Sequence, residues 1–346
     1  MRTFLGIGLG PIQTGIFVAG AYNGGFDRIV IAEVDKATVA AVRAAGGEVN
    51  INIAESDGIR QESYKRIEIY DPSEPYDQRK LIQAAADAEE LSTALPGTAF
   101  YRHIAPWLCE GFELAPDRRR FIYTAENDNY AAEKLDKAIG KNFPCTYYLN
   151  TVVGKMSKAF TPETDNTLVP LCPGLNKGHL VEAFNHIYIS SAPEIETRQC
   201  HGLHAKSDLL PFEEAKLYGH NAVHFLLGWE AAKAGLTYMS ELTGRIDLME
   251  YGKMAFAEES GTALCRKWQD ADALFSPAEF SAYIDDLLKR MTNPYLQDAV
   301  ERIIRDLSRK LELEDRIVGT IRLCLNEHVI PKRFIHLADE CFGRLR

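Results

Sequence analysis

The start of the chain holds the feature that most constrains its fold: an apolar strand that leads into a glycine-rich turn, a helix and a second apolar strand. Residues 4–8 form the predicted first strand, and the run Ile29, Val30 and Ile31 predicts a second strand over residues 28–34. Between them Pro11 suits the first turn of a helix, where its missing N–H is not needed. Two strands joined by a helix in this way predict a parallel sheet.

The rest of the chain divides into two regions of different pattern. The first half alternates, with predicted helices at 36–45, 78–86, 100–111 and 129–139, strands at 90–94 and 120–124, and extended segments within 49–70. From about residue 212 the β-branched runs stop, and long amphipathic helices are predicted at 213–234, 278–291, 295–311 and 315–326. We therefore predict an α/β, Rossmann-like, doubly wound N-terminal domain over residues 1–200 and an all-α C-terminal domain over residues 201–346.

Composition and charge exclude several classes of function. Asp plus Glu number 49 against 39 Lys plus Arg, and the net charge of -10 argues against nucleic acid or an anionic membrane surface as a partner. No apolar run approaches the roughly 18 to 20 residues that span a bilayer. The 7 cysteines are dispersed without a C-x-x-C pair, which is typical of a protein of the reducing cytoplasm.

The glycine-rich turn predicts a dinucleotide site in the N-terminal domain. Glycines between a strand and a helix let a pyrophosphate approach the backbone, and the free N–H groups of the helix start bind it. The residues expected to line this site are Gly8, Gly10, Ile12 and Gln13. Glu33 follows Gly10 by 23 positions, where an acidic side chain binds the ribose hydroxyls and repels a 2′-phosphate, so the predicted cofactor is NAD.

Two ordinary alternatives stand beside this interpretation. The turn departs from the fingerprint G-x-G-x-x-G because Gln13 occupies the third glycine position and Gly15 follows two residues later. The glycines would then belong to a plain strand-to-helix turn of another doubly wound protein. Glu33 could equally be a solvated carboxylate at the end of a strand.

A helix near the start of the C-terminal domain carries a second set of chemically useful side chains. At about 100° per residue, His220 and His224 lie about 40° and 80° from Lys216, and Asn221 lies about 140° from it. A solvated helix face is the ordinary alternative. The apolar residues 225–229 favour burial instead, and burial lowers the pKa of lysine from about 10.4 towards neutrality.

A buried neutral lysine is suited to proton transfer. In this interpretation Lys216 accepts the proton of an alcohol, Asn221 donates to the developing oxyanion, and His224 orients the substrate hydroxyl. The competing interpretation is a metal site, because His220 and His224 have the i, i+4 spacing of H-E-x-x-H and Cys200, His201 and His204 lie just upstream. Asn221 replaces the glutamate of that motif, so we expect no metal.

Taken in order along the chain, these motifs resemble the polyol-specific long-chain dehydrogenase/reductase family, which includes mannitol dehydrogenases, mannitol-1-phosphate 5-dehydrogenases and hexuronate reductases. The family's signature K-x4-N-x2-H is matched by Lys216, Asn221 and His224. The other matches cover nearly the whole chain: the glycine turn, Ser-Thr-Ala at 92–94, His-Ile-Ala-Pro at 103–106, Thr-Ala-Glu-Asn at 124–127, Asn-Thr-Val-Val at 150–153, Asn-Pro-Tyr at 293–295, and residues 309–311 with 315–316.

The resemblance implies a metal-independent, NAD-dependent enzyme that interconverts a polyol or polyol phosphate of the mannitol type and the corresponding ketose. It implies Lys216 as the base, Asn221 and Asn150 as oxyanion donors, and His224 as an aid to substrate positioning. Thr93 and Asn127 would lie along the cofactor cleft. For Asn150 and Asn127 a turn or capping role is the alternative. Residues 153–156 read V-G-K-M where the family has V-D-R-I, so we expect different electrostatics on the substrate side.

Two further functions stay open at this point. A Rossmann-type oxidoreductase acting on a hexuronate or another hydroxy acid would be favoured by arginines at the substrate end of the cleft. A nucleotide-sensing protein without turnover would keep the fold alone, but the joint presence of Lys216, Asn221 and His224 argues against it. The expected partner is a small sugar alcohol or sugar phosphate, bound by a monomer or a homodimer. The motifs do not decide which polyol it is.

Overall fold

The computed structural model describes residues 1–161 and 167–345, and the chain divides into two compact units, Met1–Leu209 and Leu210–Arg346. We call them unit 1 and unit 2. The predicted fold class is confirmed, since unit 1 is a mainly parallel sheet with flanking helices and unit 2 is helical. Over the described ranges, the helices are too short or too polar to cross a bilayer.

Unit 1 contains the strands and the first helices, numbered here in chain order. The strands are β1 (Thr3–Ile7), β2 (Arg28–Ala32), β3 (Val49–Ala54), β4 (Ile59–Tyr64), β5 (Ile67–Tyr70), β6 (Ala88–Thr93), β7 (Arg120–Thr124), β8 (Thr146–Val152), β9 (Ser157–Phe160), β10 (Gly178–Glu182), β11 (Ile187–Ser190) and β12 (Leu203–Lys206). The helices are a π-helix (Gln13–Val18), α1 (Ala19–Asn23), α2 (Lys36–Ala44), α3 (Pro75–Asp87), α4 (Tyr101–Leu114) and α5 (Ala131–Ile139), with 3₁₀ turns at Thr98–Phe100 and Ile195–Thr197.

The main sheet has the strand order β12-β11-β8-β7-β6-β1-β2-β5. Its paired strands are parallel except for β8 and β11, which run antiparallel. From β1 the chain moves outward to β2 and β5 and then returns to the other side of β1 at β6. The strand order therefore reverses between β1 and β6, and ligands of doubly wound sheets bind at the carboxyl ends of the strands at such a point.

A second, smaller sheet forms from the segment that the sequence predicted only as extended. Its order is β4-β3-β10-β9, and we call it the small sheet. Strand β10 joins it from far along the chain, with Leu180 opposite Asn52 in a parallel pair. Ile51 of β3 and Val181 of β10 are buried in the same apolar core as Ile16 and Phe17 of the π-helix. The small sheet therefore covers the helix that follows the glycine turn.

Apolar cores cover both faces of the main sheet. On one face Phe4 packs with the π-helix, α2 and the small sheet. On the other face Leu5 packs with residues of α3, α4 and α5, including Leu81, Leu108 and Leu135. Successive residues of β1 point to opposite faces, so the strand is buried on both sides and is apolar from Phe4 to Ile7.

Unit 2 is built from helices. They are α6 (Leu210–Glu214), a π-helix (Ala215–Asn221), α7 (Ala222–Lys233), α8 (Ile246–Met254), a π-helix (Ala255–Ser260), α9 (Gly261–Trp268), α10 (Pro277–Met291), α11 (Val300–Ile304), α12 (Leu307–Lys310), α13 (Val318–Asn326) and α14 (Lys332–Leu345), with 3₁₀ turns at Met239–Gly244, Ala273–Phe275 and Pro294–Leu296. The single helix predicted over 295–311 is wrong. Gln297 and Asp306 have φ of 49° and 55°, which no right-handed helix accommodates, so α11 and α12 are separate.

Candidate cofactor-binding and proton-transfer sites

The glycine turn lies at the point of unit 1 where the strand order reverses. Gly8 has φ of +85°, and a Cβ on it would lie 2.9 Å from the carbonyl oxygen of Ala94, so the fold itself requires glycine there. Gly10 is different, because a Cβ on it would meet nothing within 4 Å. The protein leaves open space beside Gly10, as a pyrophosphate that contacts the backbone would need.

Gln13 explains why the turn departs from the dinucleotide fingerprint. Its side chain is fully buried, and its Nε2 donates to Ser92 Oγ of the neighbouring strand β6 at 2.7 Å. A Cβ on Gly6 would lie 2.0 Å from the same Nε2, so the amide occupies the space above Gly6. The third glycine of the fingerprint allows close packing of helix and strand. Here the small residue is Gly6 on the strand, and the side chain of Gln13 on the helix fills the space that a Cβ at position 6 would occupy.

Glu33 follows β2 and points at the glycine turn. Its Oε2 accepts from the backbone N–H of Leu9 at 2.7 Å, and its Oε1 accepts from the N–H of Asp35 at 2.9 Å. Each carboxylate oxygen keeps a second lone pair. The acidic side chain is therefore fixed beside the turn, at the end of the strand where a ribose-binding carboxylate is expected.

Thr93 ends β6, and Glu126 and Asn127 follow β7 at the same edge of the sheet. Glu126 is buried, and it accepts from Thr93 Oγ1 at 2.8 Å, from the N–H of Leu95 at 2.9 Å and from the hydroxyl of Tyr101. Burial, with Glu126 close by, raises the pKa of Tyr101 well above its ordinary value. Asn127 is exposed. The sequence analysis gave Glu126 no role, although its position in the motif Thr-Ala-Glu-Asn was a usable signal.

Asn150 is engaged by the start of a helix. Its Oδ1 accepts from the N–H of Ala132 at 2.8 Å, and its Nδ2 donates to Glu133 Oε2 at 2.9 Å. Both partners belong to the first turn of α5. This is the capping arrangement that was the alternative to an oxyanion donor, and an oxyanion would have to compete with Glu133 for the amide N–H.

The predicted helix with Lys216 in unit 2 is present, but part of it is not a regular α-helix. Residues Ala215–Asn221 form a π-helix, in which backbone hydrogen bonds run over five residues. The angles predicted from about 100° per residue are therefore wrong over this stretch. Lys216 and Asn221 are five residues apart, so the π-helix aligns them where an α-helix would turn them to different faces.

The amine of Lys216 is suited to accept a proton. In the described part of the chain it has no hydrogen-bond or ion-pair partner, although the residue is only partly exposed. Burial and then the nearby guanidinium of Arg316 lower the pKa of Lys216 to about 8. The neighbouring ring of His220 is buried, and burial, the ring of His224 and nearby cations hold its pKa well below 6.5. His220 therefore stays neutral where Lys216 titrates.

His224 is paired with a carboxylate that the sequence analysis missed. Its Nε2 lies 3.0 Å from Asp298 Oδ2, off the axis of a well-aligned hydrogen bond, so the contact is mainly electrostatic. Asp298 is buried, and its Oδ1 accepts from Arg302 Nε at 2.8 Å. Burial alone would raise the pKa of Asp298, but His224 and Arg302 outweigh it and lower the pKa. Asp298 follows Asn-Pro-Tyr by three residues, which was its only sequence signal.

Further cations surround the same region of unit 2. Arg309 Nη1 and Arg316 Nε donate to the two oxygens of Asp315, at 2.8 and 2.9 Å. Lys310 is buried and donates to the carbonyl oxygens of Ile303 and Arg305. Burial and then Arg316 and Arg309 lower the pKa of Lys310 to about 8. Arg309 and Arg316 therefore share the carboxylate of Asp315, while Lys310 donates to backbone carbonyls and lies near both Asp306 and Asp315.

The histidines and cysteines weighed as metal ligands do not converge. Cys200 is buried with its Sγ near the carbonyl oxygen of Phe17, while His201 is exposed. The ring of His204 stacks on that of His186, with centroids 3.5 Å apart and planes within 10°. Among the residues that the structure describes, no three His, Cys, Asp or Glu side chains are arranged to hold a metal ion.

Comparisons with known proteins agree with these features. Residues 208–341 match the model of the mannitol dehydrogenase C-terminal domain. The mannitol-1-phosphate 5-dehydrogenase of Caldanaerobacter subterraneus subsp. tengcongensis is 32% identical over 139 residues, which are 40% of this chain and 34% of that protein. The enzyme of the same name from Bacillus pumilus is 25% identical over 325 residues, 91% of this chain and 81% of that protein.

A solved structure shows the same fold. The ternary complex of Pseudomonas fluorescens mannitol 2-dehydrogenase with NAD and D-mannitol superposes with a TM-score of 0.63 at 14% identity, over 96% of this chain and 77% of that one. The matched C-terminal domain, the ordered motifs and the shared fold confirm the resemblance predicted from the sequence. The family that the comparisons show for residues 208–341 is therefore that of the mannitol dehydrogenase C-terminal domain.

Proposed function

We propose that this protein is an NAD-dependent oxidoreductase that interconverts a polyol or polyol phosphate of the mannitol type and the corresponding ketose. The observation that carries the proposal is the amine of Lys216. It has no partner among the residues that the structure describes, its pKa is lowered to about 8, and it shares a π-helix with Asn221. An amine of this kind is half neutral near pH 8 and can take a proton from an alcohol.

Unit 1 supplies the features that fit the cofactor. The open space beside Gly10 allows a pyrophosphate to reach the backbone, and Ile12 and Gln13 begin the helix whose N–H groups would bind it. Glu33 beside the turn favours NAD over NADP, because a 2′-phosphate would meet a carboxylate. Thr93 and Asn127 follow neighbouring strands at the same edge. NAD, when bound, accepts a hydride from the substrate carbon.

Unit 2 supplies the proton transfer. Lys216 takes the hydroxyl proton of the substrate as the carbonyl forms, and it returns that proton in the reverse direction. Asn221 donates a hydrogen bond to the substrate oxygen, which gains negative charge. Asn150, which lies in unit 1, is the second donor that the family resemblance implies, and it would have to give up its contact with Glu133. His224 positions the substrate hydroxyl, and the contact with Asp298 fixes its ring.

The cations of unit 2 favour a substrate that carries an anionic group. Arg309 and Arg316 share the one carboxylate of Asp315, so a phosphate on the sugar alcohol would accept further hydrogen bonds from these two guanidinium groups. The same cations are the specific observation that favours a second candidate function, reduction of a hexuronate or oxidation of another hydroxy acid. A planar carboxylate suits an arginine as well as a phosphate does.

A cofactor-linked assay tests the proposal. We expect NADH formation with at least one of mannitol, sorbitol, mannitol 1-phosphate and sorbitol 6-phosphate, and slower turnover with NADP. Lys216→Ala should lower kcat by about 100-fold or more without weakening NADH binding, because proton transfer is lost while the glycine turn is untouched. Lys289→Ala, at an exposed position of α10, is the matched control.

The outcomes separate the candidates. Turnover of hexuronates or hydroxy acids alone would support the second function. NADH binding without turnover of any of these substrates would indicate a nucleotide-sensing protein. Near-normal turnover by Lys216→Ala, or loss of activity with a chelator, would show that the lysine mechanism is wrong.

A further inference from the structure

The first turn of the helix after the glycine turn is held between two sheets. Gln13 contacts the main sheet through Ser92. On the other side, a Cβ on Gly15 would lie 2.7 Å from Val181 Cγ1 and 3.1 Å from Ile51 Cδ1, so the helix backbone lies directly on the small sheet. Gln13 and Gly15, at which the turn departs from the fingerprint, therefore contact the main sheet and the small sheet respectively.

A buried hydrogen-bond chain links the small sheet to Gly10. His179 of β10 is fully buried, and its Nδ1 lies 3.0 Å from Thr14 Oγ1. Thr14 Oγ1 in turn lies 3.0 Å from the carbonyl oxygen of Gly10, which also accepts from the N–H of Thr14 at 3.0 Å. Asn52 Nδ2 donates to the carbonyl oxygen of His179 at 3.1 Å and so fixes β10 beside β3.

These hydrogen bonds determine which ring nitrogen of His179 carries the proton. A hydroxyl has one proton, so Thr14 can donate to Gly10 and still bond His179 only if Nδ1 carries the imidazole proton. His179 Nε2 is then a bare acceptor, and over residues 1–161 and 167–345 it is buried without a partner. Burial, with Lys177 nearby, lowers the pKa of His179 to about 3, so the ring stays neutral.

Among the described residues, His179 Nε2 has no hydrogen-bond partner, and this observation bears on the role of the side chain. A buried polar atom without a partner costs free energy that an apolar side chain of similar size would avoid. The compensating contact made by the ring is the hydrogen bond to Thr14, which leads to the glycine next to the open space of the turn. The histidine is therefore better explained by its effect on the turn than by packing.

We propose that His179 is a positioning residue for the cofactor, which holds the carbonyl of Gly10 through Thr14 and thereby keeps the glycine turn in its binding shape. The proposal rests on the proposed function, since it takes NADH as the ligand of the turn. The small sheet is then a part of the cofactor site, although none of its side chains needs to touch the cofactor.

Titration with NADH, followed by its fluorescence, tests the proposal without knowledge of the substrate. Asn places an amide N–H where His carries Nδ1–H, and Leu places a methyl group there. We expect His179→Leu to raise the Kd of NADH about tenfold and His179→Asn to leave it within about threefold. Thr14→Val should also raise the Kd of NADH about tenfold. The double variant His179→Leu with Thr14→Val should match the single variants, because either substitution alone already interrupts the hydrogen-bond chain to Gly10.

Thermal stability measured on the same variants separates positioning from packing. A role in packing alone would lower the melting temperature of the Leu and Asn variants without changing Kd, which would overturn the proposal. Multiplicative effects, with about a hundredfold loss in the double variant, would also overturn it. If the unmodified protein binds no NADH, the proposed function fails, whereas binding that the Leu variant retains in full refutes only the inference about His179.

Discussion

At the scale of single residues, the glycine turn shows two glycines kept for different reasons. Gly8 has a backbone conformation that L side chains rarely adopt and lies against the carbonyl of Ala94. Gly10 has neither constraint, so the folded protein alone would accept a larger residue there. At this strand-to-helix turn, open space beside Gly10 fits the close approach of a ligand to the backbone. The contrast with Gly8 is invisible in the sequence, where both glycines belong to one motif.

Paired substitutions should separate these two reasons. Gly8→Ala should lower the free energy of unfolding by about 2 kcal/mol, because of the positive φ and the close carbonyl. Gly10→Ala should leave stability unchanged or raise it by about 0.5 kcal/mol while it weakens NADH binding. Urea unfolding and NADH titration on both variants give the comparison. Equal losses of stability would contradict it.

The lowered pKa of Lys216 predicts how the rate depends on pH. Polyol oxidation needs the neutral amine, so its rate should rise about tenfold per pH unit below the pKa of about 8 and level off above it. Ketose reduction needs the ammonium form, so its rate should fall above about pH 8. Oxidation that reaches half its maximal rate only near the ordinary lysine pKa of 10.5 would contradict the prediction.

Arg316→Gln should move the same pH profile. Removal of the guanidinium removes a cause of the lowered pKa, so the midpoint of oxidation should shift to higher pH. Arg322→Gln, at an exposed arginine that pairs with Glu314, is the control and should leave the midpoint in place. An unchanged midpoint in Arg316→Gln would show that burial alone sets the pKa of Lys216.

At the scale of elements, sequence patterns located most strands and helices of unit 1 up to residue 139, gave no prediction for β8 to β12, and failed where local rules break. Residues 120–124 form a strand as predicted, because the run Phe121, Ile122 and Tyr123 is aromatic or β-branched, as is typical of a buried parallel strand. The π-helix around Lys216 was missed, because hydrophobic periodicity assumes α-helical spacing. The breaks at Gln297 and Asp306 were missed because neither glycine nor proline marks them.

Arg120 connects the ends of two helices and gives a prediction of stability. Its buried guanidinium donates to the carbonyl oxygens of Ala85 and Ala86 at the end of α3, of Ala115 after α4, and of Arg118. Arg120→Met should therefore lower the free energy of unfolding by about 3 kcal/mol, because these carbonyls lose their donors. Arg119→Met at the exposed neighbour should change it by less than about 0.5 kcal/mol. Urea unfolding of both variants measures this difference. Equal losses in the free energy of unfolding would show that the role assigned to Arg120 is wrong.

At the scale of the whole molecule, what the sequence could not predict is contact between distant segments. The motif from Lys216 to His224 was readable because its members share one stretch of helix. Asp298 and Arg316 were not readable, since their closeness to this helix depends on how the helices of unit 2 pack. The small sheet was missed for the same reason, because the pairing of β3 with β10 leaves no local signal in either strand.

The pairing of β3 with β10, in which Asn52 lies opposite Leu180, also affects the order in which the parts of unit 1 form. As the chain is synthesised, β1, the glycine turn and β2 are complete long before residues 178–182 emerge, so the helix start lacks part of its cover until about half of the chain has been made. Loop closure over so many residues is slow compared with the formation of local helices. On refolding from urea, far-UV circular dichroism should therefore recover before NADH fluorescence does. The cofactor site would then be completed late in folding, at a rate set by β10, a strand that forms no part of the dinucleotide motif.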